Sequence, residues 1–245
     1  MEKENITEFT LDPKRVQEDK DWAMLFDWKM QKELLRYCVY SISLNDPAHN
    51  LGHCWDVCAL GKRICDELGV DDRTRMLVYL GTLLHDIGCR YERDYHHLIG
   101  YGLTYELINR YWPNEFSDDE LLTIATAVLE HRSSNKNKPT NFVSSIVSVA
   151  DSGAPDFNKY VKRAIQFRLK MNLTDDVLIE EVYKHLLEKF GVEGYHWKSY
   201  PDVGMELFKT EWDIFSNLLY DEQFTMDCIK TTYEQLGGKC VGKSG

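Results

Sequence analysis

Leu83-Leu84-His85-Asp86-Ile87-Gly88 is the stretch on which the reading of this chain turns. A histidine and an aspartate stand side by side where an apolar helical pattern, Met76, Leu80, Leu83, Leu84 and Ile87, runs out into glycine. Two ionisable groups at the buried end of an apolar segment are costly unless something neutralises them. For a His/Asp pair a bound metal ion is the commonest neutraliser. Such a centre needs further ligands, so the neighbouring segments decide whether the idea holds.

Upstream, Asp71 is placed to cap the helix that ends in this stretch. Before it, Asp46-Pro47 reads as an N-cap and first helical position. The helix that follows carries His49, His53, Val57, Leu60, Ile64 and Leu68 along one stripe and ends at Gly69. His49 and His53, four residues apart, fall on one face of it. An earlier helix spans Trp22 to about Leu44. Downstream, a charged loop leads to a helix from His96 to Tyr111, broken by Trp112-Pro113. Ser117-Asp118-Asp119-Glu120 is a capping box ahead of Leu121, Ile124, Val128 and His131. The β-branched run Phe142 to Ala150 suits helix or strand locally; its helical neighbours favour helix. Three more helical patterns follow at 156–171, 175–190 and 203–236, the last split near Tyr220. Alternating strand patterns are scarce, so the expected fold class is all-α. The expected organisation is an N-terminal extension (1–20), a ligand-bearing core (21–155), a C-terminal helical part packed on it (156–236) and a disordered tail (237–245).

The 43% hydrophobic fraction, with 6 Trp, 14 Tyr and 10 Phe, is enough to fill a core, which argues against global disorder. A net charge of −11 argues against a general nucleic-acid binder, which needs a basic face for phosphates. Small phosphorylated substrates remain compatible, because a metal ion supplies positive charge locally. Seven scattered cysteines without paired spacing suggest a reduced, cytoplasmic chain. No run of 18 apolar residues exists to span a membrane. Homo-oligomerisation is left open.

The candidate ligands are His53, His85, Asp86, His96, His131 and Asp151; His85-Asp86 and His131 end apolar helices and Asp151 follows an apolar segment. Any one of the histidines alone reads more readily as a hydrogen-bonded core residue, and Asp151 alone reads equally as a turn residue. Together they are harder to explain as surface, because six of the eight histidines fall between 49 and 131 and alternate with apolar helices. Mixed imidazole and carboxylate donors suit borderline divalent ions.

The order His53, His85-Asp86, His96, His131, Asp151 resembles the HD superfamily of metal-dependent phosphohydrolases over roughly residues 45–155. The resemblance implies an HD-domain helical bundle with additional C-terminal helices. It implies that His53, His85, Asp86 and Asp151 hold one divalent ion. His96 and His131 resemble the six-ligand dinuclear variant, in which the aspartate bridges both ions. His96 is preferred to His97 on the spacing His96-x-x-x-Gly100, with His97 as the alternative. His49-Asn50-Leu51-Gly52-His53 is similar to the His-Asn-x-x-His element of cyclic-nucleotide phosphodiesterases, whose first histidine protonates the leaving oxygen. Where many relatives place a lysine after His-Asp-Ile-Gly, this chain has Cys89 and then Arg90. Arg90 or Arg93 is therefore the candidate basic phosphate contact.

The loop after His131 offers Arg132, Lys136 and Lys138 for phosphate recognition in an otherwise acidic chain. Gly237-Gly238-Lys239-Cys240-Val241-Gly242-Lys243-Ser244 satisfies a phosphate-loop pattern, but it follows a helical segment and lacks the strand such a loop requires. The expectation is a hydrolase of a phosphomonoester or phosphodiester, of a nucleotide, using one or two divalent ions (Fe, Mn, Co or Mg). Asp86, His49 and Arg132 are its expected catalytic residues. The alternatives are an HD-type mixed-valence diiron oxygenase cleaving a carbon bond, whose ligands would be the same, and a non-catalytic nucleotide-binding HD module.

Overall fold

A computed structural model describes residues 28–45, 49–133, 135, 137–171 and 173–238, and the regular structure among them is entirely helical. The chain is all-α. Two compact units emerge, one reaching Gly153 and including Pro201–Gly204, the other formed by Ala154–Tyr200 and the residues from Met205 on. The first unit closes two residues before the break expected from sequence and takes back a short piece of what looked like one C-terminal segment. The expected 1–20 extension lies outside the described residues, as does the tail beyond Gly238.

The first unit is built from α1 (Trp28–Ile42), α2 (Leu51–Leu68), α3 (Asp72–Leu84), α4 (His96–Tyr111), α5 (Asp118–Glu130) and α6 (Phe142–Ser152). Helix α3 packs against α2, α5 and α6, while α4 packs on α5. Val78, Tyr79, Leu80, Leu83 and Leu84 of α3 are fully buried among Ile64, Ile124, Val128, Ile146 and Val147, among others. Burying each such side chain contributes about 1.5–3 kcal/mol. A side chain at Gly81 would meet Val147 Cγ2 at 2.8 Å, which is why α3 and α6 approach closely there.

Caps set the ends of these helices. Asn50, not Asp46, caps α2, its Oδ1 accepting the His53 N–H at 3.1 Å. The expected Asp46-Pro47 start lies outside the described residues, and His49 precedes α2 instead of sharing its face with His53. At the other end Gly69 adopts a left-handed φ of 60°, a conformation glycine takes without strain. Asp71 caps α3 as expected. That helix stops at Leu84, before the expected Ile87, because residues 85–91 wind into consecutive turns closed by Ile87 N–H to Leu84 O and Cys89 N–H to Asp86 O. Ser117 and Glu120 form the expected capping box on α5. Glu120 also takes both prongs of Arg73, at 2.6 and 2.9 Å, joining the first turns of α3 and α5. The ambiguous run after Asn141 is helix α6, capped by that asparagine.

The second unit holds α7 (Phe157–Arg168), a 3₁₀ turn (Leu169–Met171), α8 (Asp175–Phe190), α9 (His196–Ser199), α11 (Lys209–Tyr220) and α12 (Glu222–Gln235); α10 (Asp202–Leu207) straddles the two units. The expected 203–236 helix is divided at Phe208 as well as near Tyr220. Asp221 accounts for the second break, ending α11 and capping α12 through the Phe224 N–H. Phe190, Tyr200, Trp212 and Phe215 are buried in its core. His196 is buried among Phe190, Trp197, Tyr200 and Trp212 with ring centroids 4.7–5.1 Å away. What precedes the phosphate-loop-like stretch is helix α12, not a strand. Among the described residues no helix is long and apolar enough to cross a membrane.

Candidate metal centre

Five helix ends meet at one place. His53 lies in the first turn of α2, His85 and Asp86 follow α3, His96 opens α4, His131 follows α5 and Asp151 lies one residue before the end of α6. Asp86 is 2% exposed and turns its two oxygens toward different partners. Its Oδ2 is 3.1 Å from His85 Nε2 and 3.7 Å from His53 Nε2. Its Oδ1 is 3.4 Å from His96 Nε2 and 3.6 Å from His131 Nε2. Asp151 Oδ1 joins the first group, 3.0 Å from His53 Nε2 and 3.9 Å from His85 Nε2. His53 and Asp151 retain 24% and 20% exposure against 0–5% for the other four, so solvent reaches the centre along their edge.

Hydrogen bonding on the far side of three rings fixes which nitrogen faces inward. The Nδ1 atoms of His85, His131 and His96 sit 2.7, 2.7 and 2.5 Å from the carbonyl oxygens of Thr82, Val128 and Arg93. A carbonyl only accepts, so each Nδ1 carries a proton and each ring turns its Nε2 toward Asp86. His96 and His131 Nε2 stand 3.0 Å apart, lone pair to lone pair. Two ligands ~2.1 Å from one ion at right angles would be ~3 Å apart. Asp86 Oδ2 is buried without a hydrogen bond. The donor set fits a cation on each side of Asp86.

The electrostatics agree. Burial opposes charge on His85, but the carboxylates of Asp86 and Asp151 outweigh it and lift its pKa to about 10. Burial would also raise Asp86, yet His85 and His131 hold its carboxyl far below the ordinary range. Asp151 is lowered too, its burial outweighed by the bond to His53. His96 goes the other way, pushed to about 4 chiefly by burial, and stays a neutral ligand. The His85 side therefore calls for positive charge, as a proton or as a metal ion.

Residues 50–156 match the family model of the HD domain. Over that segment the chain is similar to the HD domain. The matched segment runs from the α2 cap to just past α6 and encloses all six donors. Curated proteins and solved structures give no significant match.

Around this cluster the other expected residues distribute unevenly. Among the described residues, His53, His85 and Asp86 form one group able to hold an ion, and Asp86, His96 and His131 another. His96 is the buried member of its pair. His97 instead receives a hydrogen bond from Arg132 Nη1 at 3.2 Å. Arg132 is further fixed by Nη1 to the Asp94 carbonyl at 2.9 Å. Arg90 lies over the rings of Tyr40 and Tyr91, 4.9 and 5.8 Å from their centroids, and Arg93 is exposed. Lys138 pairs with Asp202 at 2.5 Å, so its charge is already matched; Lys136 lies outside the described residues. The His49 ring is 5.7 Å from that of His96. Two participants were missed in the sequence. Cys89 Sγ lies 3.6 Å from Asp86 Oδ1, and Asn45 Nδ2 bonds the carbonyls of His49 and Asp86. In the sequence Cys89 stands out only where relatives place a lysine, and nothing in spacing marks Asn45.

Proposed function

We propose that this HD-like segment hydrolyses a phosphate ester, a phosphomonoester or phosphodiester of a nucleotide. The observation that carries the reading is Asp86, whose two oxygens face two separate histidine pairs. His53, His85, Asp151 and Asp86 Oδ2 would hold one divalent ion; His96, His131 and Asp86 Oδ1 would hold the second. When bound, such ions lower the pKa of a water toward ~7 and neutralise phosphoryl oxygens. Four neutral histidines and two carboxylates leave a pair of divalent ions with net charge of about +2, which draws an anionic ester to the centre.

The chain's own groups complete the chemistry. Arg132 commits only Nη1 to its anchors, and its Nε and Nη2 edge carries no hydrogen bond among the described residues. That edge is the side of the fork a phosphate takes bidentately. Holding Nη1 in advance reduces the rotamer freedom lost on binding. His49, whose ring lies 5.7 Å from that of His96, would give a proton to the leaving oxygen. Imidazole and carboxylate donors without other constraint accept Mn²⁺, Fe²⁺, Co²⁺ or Mg²⁺.

The test is a phosphate-release screen over nucleotides and simple phosphate esters with each of these ions in turn, repeated with Asp86→Ala. Release that needs a divalent ion and vanishes in the variant together with metal loading is the expected result. No release with any ion, or dioxygen uptake with a mixed-valence iron signal that responds to a non-phosphorylated substrate, would overturn it.

A further inference from the structure

We propose that His49, Asp86 and Cys89 form a third cation position, selective for a thiophilic divalent ion such as Zn²⁺ or Cd²⁺. Each of these residues offers a ligand atom, and the three atoms lie within 4.8 Å of one another. Donors around one tetrahedral ion are roughly 3.4–3.6 Å apart, so the widest gap in the group closes by at most about 1 Å when an ion binds. The Cys89 Sγ to Asp86 Oδ1 distance is 3.6 Å. A sulfur ~2.3 Å and an oxygen ~2.1 Å from one tetrahedral ion would be separated by ~3.6 Å.

The three positions are held together by backbone bonds. Asn45 Nδ2 donates to the His49 carbonyl at 3.1 Å and to the Asp86 carbonyl at 3.4 Å, tying the segment before α2 to the turn after α3. The Cys89 N–H donates to that same Asp86 carbonyl at 3.0 Å. The Asn45 Oδ1 is buried and has no partner among the described residues, a further oxygen donor left over in the same corner. His49 and Cys89 are only part-buried, which gives an ion a way in. Cys38, Cys54, Cys58 and Cys65 are buried elsewhere, and Cys228 belongs to the second unit. Among the described residues Cys89 is the thiol in reach of both an imidazole and a carboxylate.

The sulfur sets the selectivity. Thiolate ligation favours Zn²⁺ and similarly soft ions over Mg²⁺ or Mn²⁺, and binding releases the thiol proton to solvent. The position borrows Asp86 from the other two groups but does not depend on the hydrolytic reading, since it makes no claim about turnover.

Cobalt tests it. In a Cys240→Ser background, metal-free protein is titrated with Co²⁺, and the near-ultraviolet thiolate-to-cobalt absorption is recorded beside the visible cobalt bands. The near-ultraviolet band should appear, and Cys89→Ser should abolish it while leaving the visible bands, with Cd²⁺ affinity lowered at least about tenfold. Bound Co²⁺ without the band, or a band that survives in Cys89→Ser, would overturn the assignment. Should that variant fail to fold, alkylation of Cys89 in the Cys240→Ser protein decides. Cd²⁺ should slow it and Mg²⁺ should not; a rate indifferent to Cd²⁺ sinks the proposal.

Discussion

A methyl group at residue 88 would lie 2.1 Å from the His96 carbonyl oxygen and 2.9 Å from the Gly100 nitrogen. The turn after α3 and the first turn of α4 therefore meet at a distance only glycine permits. Gly88→Ala must push α4 away and lengthen the 3.4 Å approach of His96 to Asp86. We expect it to cost roughly 1–3 kcal/mol, as overpacking does, and to weaken metal binding on the Asp86 Oδ1 side before the other. Urea unfolding and metal analysis of the same variant check both. The neighbouring histidines separate cleanly. His96→Ala should lose one equivalent of metal, whereas His97→Ala should keep its metal and raise KM by loosening Arg132. At this scale the sequence showed the six donors, because residue type and position beside apolar segments are visible in one dimension. It could not show that Asn45 binds two carbonyls 4 and 41 positions away, because backbone acceptors leave no mark on residue type.

Helix ends carry the second level of the argument. Glu120 accepts the Ser117 N–H within the capping box and also takes two hydrogen bonds from Arg73 of α3. The Arg73 bond, against the opposing effect of burial, lowers the Glu120 pKa from 4.5 to about 2. A carboxyl depressed on folding stabilises the fold above its ordinary pKa and loses that contribution as pH falls. The window here is from about pH 4.5 down to about 2. Glu120→Gln should thus be less stable than wild type at pH 6 by about 1 kcal/mol, with the gap closing by pH 2, in urea titrations across that range. The capping box was plain from Ser117 and Glu120. The start of α2 was not, since Asp46-Pro47 reads as the cap while the chain turns into the helix at Asn50. The run after Asn141 illustrates the converse. Its β-branched residues suit a strand, but burial of Val143, Ile146, Val147 and Ala150 against neighbouring helices overrides that preference.

On the scale of the whole molecule, the second unit has an acid-sensitive core. Burial, with a smaller push from Lys189, lowers the His196 pKa from 6.5 to about 3. Both ring nitrogens are buried without hydrogen bonds. The folded chain keeps the ring neutral while the unfolded chain protonates it, so stability falls as pH drops from about 6.5 toward 3. His196→Phe should flatten that fall and add stability of about 1–3 kcal/mol for each unsatisfied nitrogen it removes. Thermal melts at pH 5 and pH 8 should show the larger gain at pH 5. Nothing in the sequence marked this histidine as buried, because its ring partners lie on α8, around α9 and on α11. The first unit responds to a different variable. Slowing of amide exchange on adding Mn²⁺ should concentrate in the turns around residues 85–96 and 131, with α8 much less affected.

The pairing of His53 with Asp151 spans 98 positions of the chain. An ion gripped by both is in effect a removable rivet, in a protein whose described cysteines form no disulfide. A disulfide restrains the unfolded chain permanently; this fastener exists only after the helices have assembled, and its strength follows the surrounding ion concentration. At a free ion level a thousand times the dissociation constant it adds about 4 kcal/mol, comparable to a long-loop disulfide. Starving the protein of metal would therefore remove both its reactivity and much of its cohesion, and resupply would restore the two together.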